Sequence, residues 1–118
     1  MKYSIFAFFL VFLNLSCSQT KSKSITEVSQ KELDNVVLVD VRTPDEFNAG
    51  HVHNALNIDW FDAAFQNKIE AAVPKDKTVY VYCKVGGRSA KAAEKLNALG
   101  YTVVNLEGGY DAYINAQK

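Results

Sequence analysis

Cysteine is scarce in this chain, with two residues in 118. Two thiols cannot build a disulfide-dense scaffold or a four-thiolate zinc site. Net charge is missing too: 13 basic and 13 acidic side chains cancel, which argues against a polybasic surface for a nucleic-acid partner. No apolar run reaches the length of a membrane span. The longest, residues 5–13 (IFAFFLVFL), has nine residues; as a helix it rises only about 14 Å against a hydrocarbon core of roughly 30 Å. There is no internal repeat and no second domain boundary, and 118 residues suffice for one modest domain with its own core. An apolar content of 48% separates the chain from disordered sequences.

What is present is unevenly placed. Residues 1–16 hold four of the seven phenylalanines and a single charge, Lys2. A charged start, a short apolar stretch and a small or polar close form the pattern of a secretory signal. The close, Leu13-Asn14-Leu15-Ser16-Cys17, resembles the lipobox of bacterial lipoproteins, in which cleavage leaves the cysteine first in the chain and lipid-bearing. Asn14 stands where such boxes usually carry an aliphatic residue, so a plain secretory signal that leaves Cys17 as a free thiol is the second reading. On the first reading residues 1–16 are a signal peptide, residues 17–23 a lipid anchor and flexible polar tether, and residues 24–118 the domain. Cys17 then holds the mature protein on a membrane of the bacterial cell envelope, facing the periplasm. Without residues 1–16 the chain loses one lysine and keeps all 13 acidic side chains, for a net charge of −1.

Strand and helix signals alternate through the domain. Residues 25–28 are a short strand candidate, and Ser29 with Glu32 makes a capping box for a short helix. Residues 36–39 (VVLV) form a β-branched run suited to a strand buried on both faces. Thr43 caps a helix with Pro44 at its first turn, closed by Gly50. Residues 55–58 suggest another strand, and Asp59 a cap for a helix over residues 60–72. Residues 78–82 (TVYVY) are the strongest strand, followed by a helix over residues 89–99, a strand over residues 102–106 and a helix over residues 110–116. Strands separated by helices imply an α/β fold with a central parallel sheet and helices on both faces. Ligands in such sheets bind beyond the carboxyl ends of the strands.

Cys83 stands at that end of the strongest strand. Behind it Lys84, Val85, Gly86, Gly87 and Arg88 lead into a helix. The two glycines allow a tight turn with positive φ that aims several N–H groups at one point, and the helix start adds its positive end. Lys84 and Arg88 add full charges. Such a setting favours a thiolate at neutral pH and cradles a sulfur oxyanion, a persulfide or a phosphate. Without those flanks Cys83 would read as a small buried hydrophobe.

Three motifs then resemble one family. Asp40-Val41-Arg42-Thr43-Pro44-Asp45-Glu46-Phe47-Asn48-Ala49-Gly50-His51-Val52 is similar to the D-V-R-x-x-x-E-[FY]-x-x-G-H-[IV] signature of rhodanese-like proteins. Val81-Tyr82-Cys83-Lys84-Val85-Gly86-Gly87-Arg88-Ser89-Ala90 resembles their active-site loop, and Leu106-Glu107-Gly108-Gly109-Tyr110 their late L-x-G-G stretch. Tyr113 stands where the family usually has tryptophan. The resemblance covers roughly residues 24–116. It implies a small α/β sulfurtransferase in which Cys83 takes sulfur from a donor such as thiosulfate and passes it, as a persulfide, to a thiol or cyanide. The N–H groups of Lys84, Val85, Gly86, Gly87 and Arg88 would stabilise the persulfide, and the Arg88 and Lys84 side chains would bind the sulfonate of thiosulfate. No cofactor, metal or membrane span is implied, and a monomer is expected. Dual-specificity phosphatases share the fold but place five residues between cysteine and arginine, where this loop has four; phosphoryl transfer is the runner-up. A non-catalytic sulfur-carrying or binding module is the third reading.

Asp40, Arg42, Glu46 and His51 are expected to support the site. Arg42 and Glu46, four apart across the turn at Pro44, are expected to pair. Asp40 either points toward the site or caps the following turn. His51 is expected to hydrogen-bond backbone. His51 and His53 lack the further ligands a zinc site requires.

Overall fold

The structure, a computed structural model, describes residues 20–118. The expected signal peptide, Cys17 and the start of the tether lie outside the described residues. Five strands form one all-parallel sheet in the order β1-β5-β4-β2-β3. These are β1 (Lys21–Ser24), β2 (Val37–Asp40), β3 (Leu56–Asn57), β4 (Thr78–Tyr82) and β5 (Thr102–Glu107). The helices are α1 (Gln30–Asp34), α2 (Pro44–Ala49), α3 (Phe65–Ala72), α4 (Gly87–Ala98) and α5 (Gly109–Ala116).

The alternation of side chains along the central strands divides the core in two. Val79 and Val81 of β4, with Val39 of β2 and Val103 of β5, pack against Phe65 and Ile69 of α3 and Ala92, Ala93 and Leu96 of α4. Tyr80 and Tyr82 of β4, with Leu38, Val104 and Leu106, meet Ile25, Leu33 of α1 and partly buried Tyr110 and Tyr113 of α5. Helices therefore cover both faces, as the strand–helix alternation implied. Leu96 is fully buried, and truncating such a side chain to alanine costs about 2–5 kcal/mol.

The local differences from expectation have physical causes. Lys21–Ser24, read as the end of a tether and the first residue of the domain, is the edge strand β1, paired in parallel with β5. Its first three side chains are exposed, so no apolar alternation marks it, and lysines suit a sheet edge. Residues 25–27, read as a strand, form a 3-10 turn that drives Ile25 into the core and is capped by the Ser24 hydroxyl. The Ser29 capping box forms by half. Ser29 Oγ accepts from Glu32 N–H at 3.1 Å, but the Glu32 carboxylate turns to Lys23 and Tyr80. Helix α3 begins at Phe65 because Asp59 and Asp62 each fold a turn by accepting from the N–H two residues on, Phe61 and Ala64. The box at Thr43 and Glu46 is complete, with Pro44 at the first helical position.

Candidate active site

β4 ends at Tyr82, and the next residue, Cys83, is 1% exposed. Gly86 takes φ +133°, and Gly87 already begins α4. The positive φ expected for both glycines is therefore needed at Gly86 alone. A Cβ built on Gly86 meets nothing within 4 Å, so backbone conformation rather than space calls for glycine there.

The turn brings hydrogen-bond donors to the sulfur. Gly86 N–H donates to Cys83 Sγ at 3.0 Å. The Ser89 hydroxyl lies 3.4 Å from Sγ and 3.2 Å from the Gly86 carbonyl, so its single proton serves either. Burial pushes the Cys83 thiol up, but the Ser89 hydroxyl and the N–H groups of Ser89, Gly86 and Val85 outweigh it and hold the thiol below its ordinary value. Thiolate is the nucleophilic form of cysteine, and these uncharged donors favour it.

The start of α5 fixes the same loop from behind. Tyr110 N–H donates to the Cys83 carbonyl at 2.8 Å and Asp111 N–H to the Lys84 carbonyl at 3.0 Å. In a trans peptide the N–H points opposite the carbonyl. Holding these two carbonyls toward α5 therefore turns the N–H groups of Lys84 and Val85 the other way. Gly109, at φ +60°, permits the approach: a Cβ there would lie 2.5 Å from both carbonyl oxygens.

The expected charge arrangement is corrected. Arg42 does not pair with Glu46. It forms a bidentate pair with Asp40, at 3.0 Å from Nε to Oδ1 and 2.6 Å from Nη2 to Oδ2, and also reaches the Gly50 carbonyl at 2.7 Å. Asp40 is 0% and Arg42 4% exposed. The guanidinium lies 4.4 Å from the Tyr110 ring centroid and 5.7 Å from that of Tyr82. A guanidinium this deep is drawn to the buried carboxylate beside it, while α2 directs Glu46 outward.

Glu46 instead meets Arg88 of α4 in a fork, Nη1 to Oε1 at 2.7 Å and Nη2 to Oε2 at 3.0 Å. Its Oε1 also accepts from the Thr43 N–H and hydroxyl. With Arg88 as the largest cause, the Glu46 carboxyl is held at about 2. The other cation of the loop is paired as well, with Lys84 Nζ 2.7 Å from Asp111 Oδ2. Val85 is an exposed apolar side chain of the loop. His51 donates Nδ1–H to the Phe47 carbonyl at 3.0 Å and stacks on the Phe47 ring. Among the described residues no three His, Cys, Asp or Glu side chains group as for a metal ion.

Two contributors escape the sequence. Ser89 is fully buried; its signal is a hydroxyl in the first turn of a helix whose start faces the cysteine. Asp111 is the other, and no local pattern ties it to Lys84.

The profile of the rhodanese-like domain matches residues 25–116. The thiosulfate sulfurtransferase PspE of Escherichia coli is 42% identical over 72 residues, which span 60% of this chain and 67% of that protein. An adenylyltransferase and sulfurtransferase of Candida albicans is 38% identical over 100 residues, 73% of this chain but 23% of its own length. The crystal structure of a rhodanese-like domain protein from Staphylococcus aureus matches with a TM-score of 0.70 at 35% identity, over 80% of this chain and 91% of that one.

Proposed function

Because the chain belongs to the rhodanese-like domain family, we propose that it is a sulfurtransferase that carries sulfur as a persulfide on Cys83. The observation that carries this reading is the ring of N–H and O–H donors aimed at a buried sulfur, which stabilises an anion on that atom. The similarity to a thiosulfate sulfurtransferase supports the same chemistry.

The reaction runs in two displacements and balances without an oxidant. With thiosulfate as donor, the Cys83 thiolate attacks the outer sulfur. A new S–S bond forms as the old one breaks, and sulfite leaves with the bonding pair. The loop N–H groups then face a cysteine persulfide. A thiol acceptor attacks its outer sulfur as thiolate, and Cys83 departs as thiolate, ready for the next donor. Covalent storage between the two halves predicts ping-pong kinetics.

The competing phosphatase reading needs a longer loop, since four residues separate Cys83 from Arg88 here against five in the dual-specificity phosphatases. On the lipobox reading, Cys17 ties the domain to an envelope membrane; Cys17→Ala then moves the protein to the soluble fraction, and unchanged membrane fractionation refutes the anchor.

The test is steady-state transfer from thiosulfate to cyanide with both substrates varied. Parallel double-reciprocal lines and no turnover in Cys83→Ser are expected. Turnover of an aryl phosphate in place of sulfur transfer would overturn the proposal.

A further inference from the structure

The loop around Cys83 carries two cations, and both are spoken for. Each terminal nitrogen of Arg88 is engaged by an oxygen of Glu46. The guanidinium carbon lies 5.7 Å from the ring centroid of Phe61, an exposed phenylalanine. Lys84 is paired with Asp111. The donors on the sulfur are dipoles, and with both cations compensated no free positive charge is left to meet the second charge of a dianion. Glu46 does not drift in this role. The Thr43 cap fixes its Oε1, so the carboxylate is positioned by α2 before it meets Arg88. Beside the loop, Phe61 and Val85 expose apolar surface that an inorganic dianion cannot use.

We propose that Glu46 is a charge-selecting positioning residue. By occupying Arg88 it withholds the guanidinium from incoming dianions, so that the site favours organic persulfides, RS–SH, over thiosulfate. This rests on the sulfur-transfer reading of Cys83. For such a donor, RS–SH, the Cys83 thiolate attacks the terminal sulfur, the new S–S bond forms, and RS⁻ leaves with the bonding pair. The proton stays on the transferred sulfur. The organic group lies toward Phe61 and Val85.

The test reads charge at Cys83 without relying on sulfur transfer. Alkylation by anionic iodoacetate is compared with alkylation by neutral iodoacetamide. The ratio of the two rates cancels thiolate content and access, which both reagents share. In Glu46→Gln the side chain can still close the capping box, and the ratio is expected to rise about fivefold as Arg88 is freed. In the Glu46→Gln, Arg88→Gln double variant, with both charges gone, it returns to the original value. The KM for thiosulfate falls by a similar factor in the single variant, while that for the persulfide of 2-mercaptoethanol, whose organic group is uncharged, changes less than about twofold. In the unaltered protein the ratio stays nearly flat as salt is raised, since the charges already cancel; this holds whether or not the variants fold. An unchanged ratio in the folded single variant, a steep salt dependence in the unaltered protein, or equal changes for both donors would overturn the role of Glu46. A raised ratio with no sulfur loaded from either donor sustains that role and removes the sulfur-transfer reading.

Discussion

Two arginine–carboxylate pairs flank the ends of β2 and β4, and their surroundings give them different work. Asp40 and Arg42 are almost wholly buried, with two tyrosine rings near the guanidinium. Glu46 and Arg88 keep 30% and 21% of their side-chain surface exposed at the mouth of the loop. Burial makes a charge pair obligatory, because either partner left alone is uncompensated in a poor solvent for ions. Partial exposure makes the pair adjustable: water screens what a lost partner leaves behind. The first pair is scaffold for the site, and the second sets the charge the site presents.

The largest expected effect comes from breaking the buried pair. Arg42→Met strands the Asp40 carboxylate and costs about 3–5 kcal/mol in urea unfolding. Arg88→Met, the matching change at the mouth, costs at most about 1 kcal/mol. Equal losses would dissolve the distinction.

Gly109→Ala tests the wall between the two regions, where α5 braces the loop. With carbonyl oxygens 2.5 Å from the new Cβ, the loop or the helix must move. Alkylation of Cys83 then shifts to higher pH as the Val85 N–H loses its aim at the sulfur. A crystal structure of the variant with the loop unmoved would contradict the bracing role.

Ser89→Ala removes the side-chain donor to the sulfur, the hydroxyl 3.4 Å from Sγ. The thiol then binds its proton roughly tenfold more tightly, read as an upward move in the pH midpoint of Cys83 alkylation. An unmoved midpoint would leave the backbone donors as the whole cause.

The smallest effect is in acid. Glu46 is held at about 2, below its ordinary value of 4.5. A depressed carboxyl stabilises the fold above the ordinary value, and that contribution is lost as pH falls from about 4.5 toward 2. Glu46→Gln should flatten this part of the melting-temperature curve and leave the curve near neutral pH unchanged in shape.

The same contrast governs what could be read from the residues alone. β2, β4 and α4 were legible because β-branched runs and the Gly86-Gly87 break are local signals. β1 was not, since an exposed edge strand of lysine and serine needs no apolar pattern, only a neighbour's backbone. The start of α3 was obscured by two aspartates able to cap, each of which folds a turn instead. Cys83 and its turn were legible, since strand, glycine and helix occur in sequence. The pairing of Arg42, Glu46, Arg88 and Lys84 was not. Spacing alone suggested Arg42 with Glu46, whereas burial of Asp40 and the approach of α4 to α2 decide the partners, and both arise only on folding.

The central claim is that sulfur resides covalently on Cys83 between donor and acceptor. Intact-mass measurement after donor treatment without acceptor tests it most directly. The account predicts a gain of one sulfur atom, about 32 Da, that is absent in Cys83→Ser and lost when a thiol is added. A protein that turns over thiosulfate with no such adduct, or an adduct that survives in Cys83→Ser, would contradict it.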